Sequence, residues 1–292
     1  MRYAFIRGQV GRYPVRVMCR VLEVTEQGYY AWRSRPESRR LRQNRELMDQ
    51  VAVVFGEHRQ RYGSPRVHKE LVAQGRCCGR HRVARLMRQN GLRAKAARKF
   101  KVTTDSSHGK APAANVLSRE FTPPAPNRVW AGDITYLWTA EGWMYLAVFI
   151  DLYSRMVVGW ALSKRLTVDL VLLAFDRALV RRRPGPGLLV HTDRGSQYVA
   201  TDFLQRLSER QIVLSMSRKG NCWDNAVAES FFHSLKVELV HGELFHTRWQ
   251  LEREVFEYLE MYFNRKRRHS TLDYVSPQEY ERLYQPEAQL AA

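Results

Sequence analysis

The chain has 292 residues, of which 45% are hydrophobic and 26% are charged, so it can fold around a sizeable core with at least one further small domain. Its formal net charge is +19, and residues 1–110 alone carry +18. The longest apolar runs fall far short of the roughly 20 residues that cross a bilayer, and the N-terminus shows no signal-peptide pattern. We therefore expect a cytoplasmic protein without membrane contacts whose first third binds a polyanion. A basic surface that is merely solvated is the alternative.

The four cysteines do not suggest a metal site or a disulfide framework. Cys77 and Cys78 are adjacent, Cys19 and Cys222 stand alone, and no CxxC pair occurs. The interspersed histidines do not complete a set of zinc ligands. We expect buried or inert thiols and no zinc site.

Helical signals come first along the chain. Pro14 suits the first turn of a short helix, and Thr25 suits the N-cap of a second one. An Arg-rich polar stretch follows at 33–45. These features predict a short N-terminal helical segment over residues 1–44.

A helix and then a pair of short helices are predicted next. Apolar residues recur at helical spacing from 45 to 58. The segment SPRVHKELVAQG (64–75) begins with Ser-Pro and ends in Gly, and RHRVARLMRQNG (80–91) is also closed by Gly. Two short helices with a tight turn, the second basic on its outer face, are typical of a helix-turn-helix domain, placed here over 45–100. We expect four arginines to contact DNA, at bases or at phosphates: Arg80, Arg82, Arg85 and Arg88.

The pattern changes after residue 100. Residues 101–128 are rich in Ser, Thr, Pro and Ala without periodicity, and they are predicted to be a linker. Three strand patterns and then alternating helices and strands fill 129–240, which predicts a mixed sheet with helices on its faces. Residues 241–292 are predicted to be a C-terminal helical extension. Its basic cluster is expected to contact phosphate, with a solvated helix end as the alternative: Arg265, Lys266, Arg267 and Arg268.

Three carboxylates have local settings that aim them at a common point. Asp133 lies in the strand pattern VWAGDITYLW, where an unpaired charge is costly unless something binds it. Asp193 ends the apolar run LLVHTD, the usual crevice position for ligands in open α/β sheets. After an interval of 35 residues, Glu229 lies on the polar face of a helical pattern. Two strand acids and one helix acid suit two Mg²⁺ ions and predict phosphoryl transfer on nucleic acid.

Side chains near the acids are assigned supporting roles. Asn225, His233 and Lys236 share the helix face of Glu229, at spacings of about one and two turns. Lys236 is expected to hold a DNA phosphate, unless it is a plain solvated lysine. His191 alternates onto the strand face of Asp193, either as a neighbour that supports the metal ligands or as a hydrogen-bonded core histidine.

Two further acids compete for these roles. Asp151 ends a strand and is either a structural partner of Arg155 or a substitute metal ligand. Asp224 is expected to cap the helix that carries Glu229.

The motifs resemble those of the DDE transposases of the insertion sequence three family, whose catalytic domain is similar to retroviral integrases. The resemblance is carried by GDITYL (132–137), HTDRGSQY (191–198), the interval of 35 residues, NAVAESFFHSLK (225–236) and YFNRKRRHSTLDYVSPQEY (262–280). YGSPRVHKEL and RVARLMRQNGL are similar to the family's helix-turn-helix segment. One departure is Gly132, where the family often has Thr, and we expect it to matter little because the acid follows in place.

The resemblance implies a ribonuclease-H-like α/β core in which Asp133, Asp193 and Glu229 are the catalytic residues. It implies cleavage at the ends of an insertion element and transfer of the 3′-hydroxyl into target DNA, with two Mg²⁺ ions that Mn²⁺ can replace. The expected partners are double-stranded DNA (terminal repeats and target), further copies of this chain, and the upstream-frame protein of the same element. The expected location is the bacterial cytoplasm, at the nucleoid.

Three alternatives remain open from the sequence. A ribonuclease-H-like nuclease without strand transfer would keep the fold, but the basic N-terminal module favours a transposase. A DNA-binding regulator with an inactive core is opposed by the presence of all three acids. A tyrosine or serine recombinase would need a covalent link between protein and DNA.

Overall fold

A computed structural model describes residues 1–95, 113–218 and 222–284. The predicted linker over 101–128 therefore lies partly outside the described residues. The same holds for the end of the predicted helix-turn-helix domain and for the end of the C-terminal extension.

The first three helices form a small unit with its own core. They are α1 (Arg2–Gln9), α2 (Val15–Val21) and α3 (Glu26–Ser34). Ile6, Met18 and Tyr29 are buried together between them. Thr25 caps α3 as predicted, because its side chain accepts a hydrogen bond from the Gly28 N–H at 3.0 Å. The sequence did not predict α1, since a helix that buries only one residue shows no apolar periodicity.

The basic helical domain contains one long and two short helices. They are α4 (Arg39–Glu57), α5 (Ser64–Ala73) and α6 (Arg80–Gln89). Ser38 caps α4, so this helix runs through the predicted boundary after residue 44, and the break between the two helical segments lies before Arg39. Val51, Leu71 and Val83 are fully buried where the three helices pack.

A mixed five-stranded sheet follows, as predicted. Its strands are β1 (Val129–Thr139), β2 (Gly142–Asp151), β3 (Val157–Ser163), β4 (Leu189–Thr192) and β5 (Val213–Met216). The spatial order is β3-β2-β1-β4-β5, in which β1, β2 and β3 are antiparallel and β4 and β5 run parallel to β1. This sheet behind an all-α basic region confirms the predicted ribonuclease-H-like α/β fold class.

The two faces of the sheet bury different partners. Trp130, Phe149 and Val190 face the helices α7 (Val168–Arg182) and α8 (Thr201–Ser208). Gly132 lies on the same face, and a Cβ there would approach the Phe149 ring to 2.7 Å. The Phe149 ring therefore fills the space that a larger residue 132 would need, which is a packing reason for the departure at this position.

The opposite face packs on the catalytic-domain helix α9 (Ala226–Leu235) and on the C-terminal extension. Helix α9 continues as a π-helical segment over Lys236–Val240. Helix α10 (Arg248–Phe256) continues in the same way over Glu257–Phe263. The short α11 (Pro277–Leu283) ends the described chain.

One apolar cluster joins the helical domain to this face. It contains Val67 of α5, Leu235 of α9 and Leu259 of the extension. The basic domain, α9 and the extension are therefore packed against one another. No described helix is long and apolar enough to cross a membrane.

Candidate active site

The sheet register places the two aspartates side by side. Strand β1 pairs in parallel with β4, and the last pair is Gly132 with Thr192. The next residue along each strand is Asp133 and Asp193. Asp133 lies opposite Val148 of β2, on the sheet face that α9 covers. The two aspartates therefore meet where β4 ends and β1 continues into its hairpin with β2.

Backbone amides fix the direction of both carboxylates. The Ile134 N–H donates to Asp133 Oδ1 at 2.8 Å, and the Gly195 N–H donates to Asp193 Oδ1 at 2.9 Å. A Cβ at Gly195 would lie 3.0 Å from that same oxygen, so glycine allows the loop to approach the carboxylate closely.

Helix α9 brings the third acid to the aspartates. Glu229 lies in its first turn, and its side chain is exposed, while Phe231, Phe232 and Leu235 of the same helix are buried. The apolar side of α9 thus faces the core, and the side that carries Glu229 is left open to solvent, as predicted.

The electrostatics identify the three acids as one cluster. Burial raises the pKa of Asp133 well above its ordinary value, and the charges of Asp193 and Glu229 raise it further, against the opposing effect of the Ile134 N–H and of Lys236. Partial desolvation also raises the pKa of Glu229. A nearby cation would favour the ionised form of such carboxylates.

Lys236 and Tyr198 complete the surroundings of the cluster. Burial lowers the pKa of the half-buried Lys236, whereas the charge of Asp133 acts in the opposite direction. Burial raises the pKa of Tyr198 strongly, and the charges of Asp133 and Asp193 add to this rise. The buried Tyr198 hydroxyl has no hydrogen-bond partner among the described residues. Sequence reasoning missed Tyr198, although it lies in the HTDRGSQY motif.

The three carboxylates do not close on a single point. Within the described ranges, no group of three or more His, Cys, Asp or Glu side chains is close enough to hold a metal ion. The aspartates are fixed by the sheet, whereas Glu229 lies on the exposed side of a helix.

The predicted supporting residues are found in three different settings. His233 is exposed on α9 near Glu229. Asn225 is buried at the N-cap of α9, where it makes no capping bond, and its Oδ1 finds no partner among the described residues. His191 is a core histidine, because its ring nitrogens lie 2.9 and 3.2 Å from the hydroxyls of Ser215 and Ser217. Of the two roles left open for His191, the structure supports the structural one.

The basic cluster of the extension divides into an exposed and an inward-facing half. Arg265 and Lys266 are exposed and remain available to phosphate. Arg267 is only 2% exposed and binds Glu238, and Arg268 binds Glu70 of α5 at 2.6 Å. The prediction that Arg267 and Arg268 contact DNA is therefore wrong in this structure, because both guanidinium groups are engaged by carboxylates between domains.

Sequence reasoning missed the hub around Glu238. This carboxylate is 5% exposed and accepts hydrogen bonds from Arg267 at 2.6 to 3.0 Å and from the Tyr258 hydroxyl at 2.9 Å. Arg66 of α5 lies 3.5 Å from the same carboxylate. The available signal was an acid beside Leu239 on the apolar stripe of α9, where a buried charge needs a cation.

The two competing acids have structural partners. Asp224 is buried and binds Arg218 and Arg119 at 2.9 Å, so it anchors the end of the linker to the segment before α9 and does not cap the helix. These arginines hold the pKa of Asp224 well below its usual range. Asp151 accepts the N–H groups of Asn127 and Tyr153 and pairs with Arg182 at 3.6 Å, so its ion-pair partner is not Arg155.

The arginines of α6 line a concave basic surface. A depression of about 500 Å³ is bordered by Arg85 and Arg88, with His81 and with Arg40 of α4. Arg80 and Arg88 are exposed, and Arg85 is partly buried. Arg82 borders the depression too, but its Nε donates to Asn44 Oδ1 at 2.8 Å, which ties α6 to α4.

Family models match both the basic helical part and the sheet-containing part of the chain. A model of an HTH-like domain matches residues 42–100, and models of the integrase core domain match residues 123–222 and 229–283. A basic helix-turn-helix module before an integrase-type core defines the class of integrase-like transposases.

Curated relatives identify the family within that class. The chain is 46% identical over 283 residues to the transposase InsF for insertion sequence IS3A of Escherichia coli (strain K12), covering 96% of this chain and 98% of that protein. It is 41% identical over 267 residues to the uncharacterized 31 kDa protein of insertion element IS600 of Shigella sonnei, covering 91% and 98%. The chain belongs to the IS3 family of insertion-sequence transposases.

Solved structures with a similar chain course are retroviral integrases. The simian T-cell lymphotropic virus intasome, in complex with PP2A regulatory subunit B56 gamma, matches with 14% identity and a TM-score of 0.46, covering 81% of this chain and 74% of that chain. The HTLV-2 integrase catalytic core in complex with magnesium matches with 16% identity and a TM-score of 0.39, covering 53% and 97%.

Proposed function

We propose that this transposase cuts DNA at the ends of its insertion element and transfers the freed 3′-hydroxyl into target DNA at the cluster of Asp133, Asp193 and Glu229. The observation that carries the proposal is the placement of Asp133 and Asp193 side by side where β4 ends, with the charges of Asp193 and Glu229 adding to the rise that burial causes in the pKa of Asp133. A cluster that opposes its own ionisation suits a site built for cations.

The donor set fits a hard divalent metal. All three side chains offer carboxylate oxygens, which Mg²⁺ and Mn²⁺ prefer over nitrogen or sulfur. The buried Tyr198 hydroxyl, which lacks a partner among the described residues, lies near enough to Asp133 and Asp193 for their charges to raise its pKa, so an orphaned polar group borders the carboxylates. A pair of such ions at Asp133, Asp193 and Glu229 would supply Lewis-acid activation of the nucleophile and charge neutralisation at the phosphate.

The side chains of this protein supply binding and position. Asp133 and Asp193 are fixed at one sheet edge, and together with Glu229 they would hold the divalent ions that neutralise the reacting phosphate. Lys236, half-buried beside Asp133, supplies a positive charge for a non-bridging phosphate oxygen. In strand transfer, one phosphorus–oxygen bond forms while another breaks, so catalysis needs alignment of the attacking hydroxyl and no covalent protein–DNA intermediate.

The basic surfaces suit the handling of the duplex. Arg80, Arg85 and Arg88 of α6 border or flank the depression that also contains Arg40, and Arg265 and Lys266 extend positive charge to the C-terminal side. We assign the α6 surface to duplex DNA of the element ends. Two ends must be processed together, so we propose a homo-oligomeric complex with DNA, in which the upstream-frame protein of the element can assist end recognition.

A strand-transfer assay tests the proposal. Labelled duplexes from the element ends are incubated with target plasmid, Mg²⁺ and either wild-type protein or Asp193→Asn. We expect joined products from the wild type and none from the variant. Hydrolysis without joining would point to a nuclease, and joining by Asp193→Asn would remove the acid cluster from the mechanism.

A further inference from the structure

Glu229 and Glu238 lie on one uninterrupted helical segment. Helix α9 ends at Leu235 and passes into the π-helical segment Lys236–Val240 with helical backbone angles at the junction. Nine residues of helix separate the two glutamates by about 13 Å. Because a helix moves as a stiff rod over this length, the position of Glu238 determines where Glu229 points.

Two kinds of contact hold α9 and its π-helical continuation in place. Phe231, Phe232 and Leu235 pack in an apolar cluster on one side of the helix. The hydrogen bonds of the Glu238 carboxylate are directional and converge from other parts of the chain. They add a polar constraint on the rotation and axial position of the helix to that of the apolar packing.

These contacts come from two other regions of the protein. From the C-terminal extension, Arg267 Nε and Nη2 and the Tyr258 hydroxyl donate hydrogen bonds to the Glu238 carboxylate. From the basic domain, Arg66 lies 3.5 Å from the carboxylate and Arg61 Nε donates to the Glu238 carbonyl at 3.2 Å. The Arg61 guanidinium also lies 4.5 Å from the centre of the Tyr262 ring, which holds it in place.

We propose that Glu238 is a positioning residue for Glu229, and that it makes the approach of Glu229 to the two aspartates depend on docking of the helix-turn-helix domain. The inference rests on the proposed function, since it takes Glu229 as the third metal ligand. The domain that binds the duplex and the helix that completes the acid cluster then share one buried carboxylate.

The test measures metal binding and helix mobility in the full-length protein. The probe is Mn²⁺ alone, whose apparent affinity is obtained from the rise of the thermal midpoint with concentration. Hydrogen exchange of the α9 amides is followed in the same samples. The variants are Glu238→Gln and Arg66→Met, with Arg66→Lys as the conservative rescue.

Asp151→Asn provides the matched control. Asp151 is also a fully buried carboxylate held by an arginine and backbone N–H groups, but it lies at the end of β2, outside α9. Its replacement is expected to lower the thermal midpoint without changing the affinity for Mn²⁺ or the exchange of α9.

We expect Glu238→Gln to weaken Mn²⁺ binding about tenfold, the scale found when a supporting partner of a metal ligand is lost, and to accelerate exchange in α9. Arg66→Met should weaken binding severalfold, and Arg66→Lys should recover most of it. A folded Glu238→Gln protein with wild-type Mn²⁺ affinity would overturn the inference. If that variant does not fold, unchanged affinity in Arg66→Met decides against it.

A parallel Glu229→Gln variant separates the two proposals. If it retains wild-type Mn²⁺ affinity, the proposed metal site is wrong. If it loses affinity while Glu238→Gln and Arg66→Met keep theirs, only the positioning role fails.

Discussion

Helix α9 and its π-helical continuation carry two glutamates in opposite circumstances. Glu229 is exposed, and its charge adds to the rise that burial and Asp193 cause in the pKa of Asp133. Glu238 is buried and is neutralised by arginines, with Arg267 in a two-point contact. One end adds negative charge to neighbouring acids, and the other end has its charge neutralised by arginines.

This difference distinguishes carboxylates that are available to a ligand from carboxylates that are already used within the fold. A carboxylate surrounded by donors stabilises the fold and gives nothing to a ligand, because its lone pairs are used. A group of carboxylates that repel one another destabilises the fold and gains the most when a cation arrives. Removing a charge from the acid cluster and removing a partner of Glu238 should therefore change the stability of the fold with opposite signs.

The largest expected effect is on catalysis. Asp133→Asn should reduce strand joining at least about a thousandfold, because one of the three carboxylates proposed to bind the metal ions is lost. The measurement is the initial rate of joined product at saturating Mg²⁺.

The same variant should be more stable than the wild type without metal. The folded-state pKa of Asp133 is raised, so its contribution to stability is fully present below the ordinary carboxyl pKa and is lost as pH rises through the folded value. The advantage of Asp133→Asn should thus be absent at low pH and grow as pH rises. A variant less stable than the wild type at pH 8 would show that the ionised acid cluster does not destabilise the metal-free fold.

Arg267→Met should have the opposite effect on stability. It leaves the buried Glu238 without its main partner, and we expect a loss of about 3–5 kcal/mol in the free energy of unfolding. Urea denaturation measures this loss. The control is Arg265→Met, two residues earlier and exposed, which should change stability by less than about 0.5 kcal/mol. Equal effects of the two variants would contradict the assignment of Arg267 to the interior.

Gly132→Thr tests whether the sheet below the aspartates is packed as described. The added side chain meets the Phe149 ring, so we expect a loss of about 1–3 kcal/mol. The double variant Gly132→Thr with Phe149→Leu should recover part of it. Thermal denaturation distinguishes this result from the sequence-based expectation that the departure at residue 132 has little effect.

The smallest effect is expected at the basic surface of α6. Arg88→Gln should weaken binding of duplex DNA at all sequences and lower the slope of log affinity against log salt by about 1. Arg82→Gln should instead lower stability, since Arg82 ties α6 to Asn44. Fluorescence anisotropy over a range of salt concentrations, with thermal denaturation beside it, checks both expectations.

The sequence predicted most of what depends on local pattern. Alternation along β1 and the end of the apolar β4 run were enough to place Asp133 within one strand and Asp193 at the end of another, because side-chain alternation is a short-range property. The parallel pairing of β1 with β4, which brings the two aspartates together, joins distant segments and is seen only in the structure. The helical period was enough to put Glu229 on an open face. What could not be predicted was the partner of each charge.

Arg267 illustrates the reason. In the sequence it stands in a run of basic residues, beside Arg265 and Lys266, and composition favours a phosphate contact. Its carboxylate partner lies 29 residues away on another helix. Ion pairs between distant segments leave no periodic signal, so the same run of charge contains both DNA-facing and buried side chains. The short α1 was missed for a related reason, since one buried residue makes no pattern.

The proposed function requires Asp133, Asp193 and Glu229 to form a divalent metal site. Electron paramagnetic resonance of Mn²⁺, titrated into the full-length protein with and without an end duplex, counts bound ions directly. We predict bound Mn²⁺ in the wild type, with tighter binding at higher pH as the cluster loses its protons, and weakened binding in each single amide variant of the three acids. Undiminished Mn²⁺ binding in Asp133→Asn and Asp193→Asn would show that the two aspartates do not bind the metal.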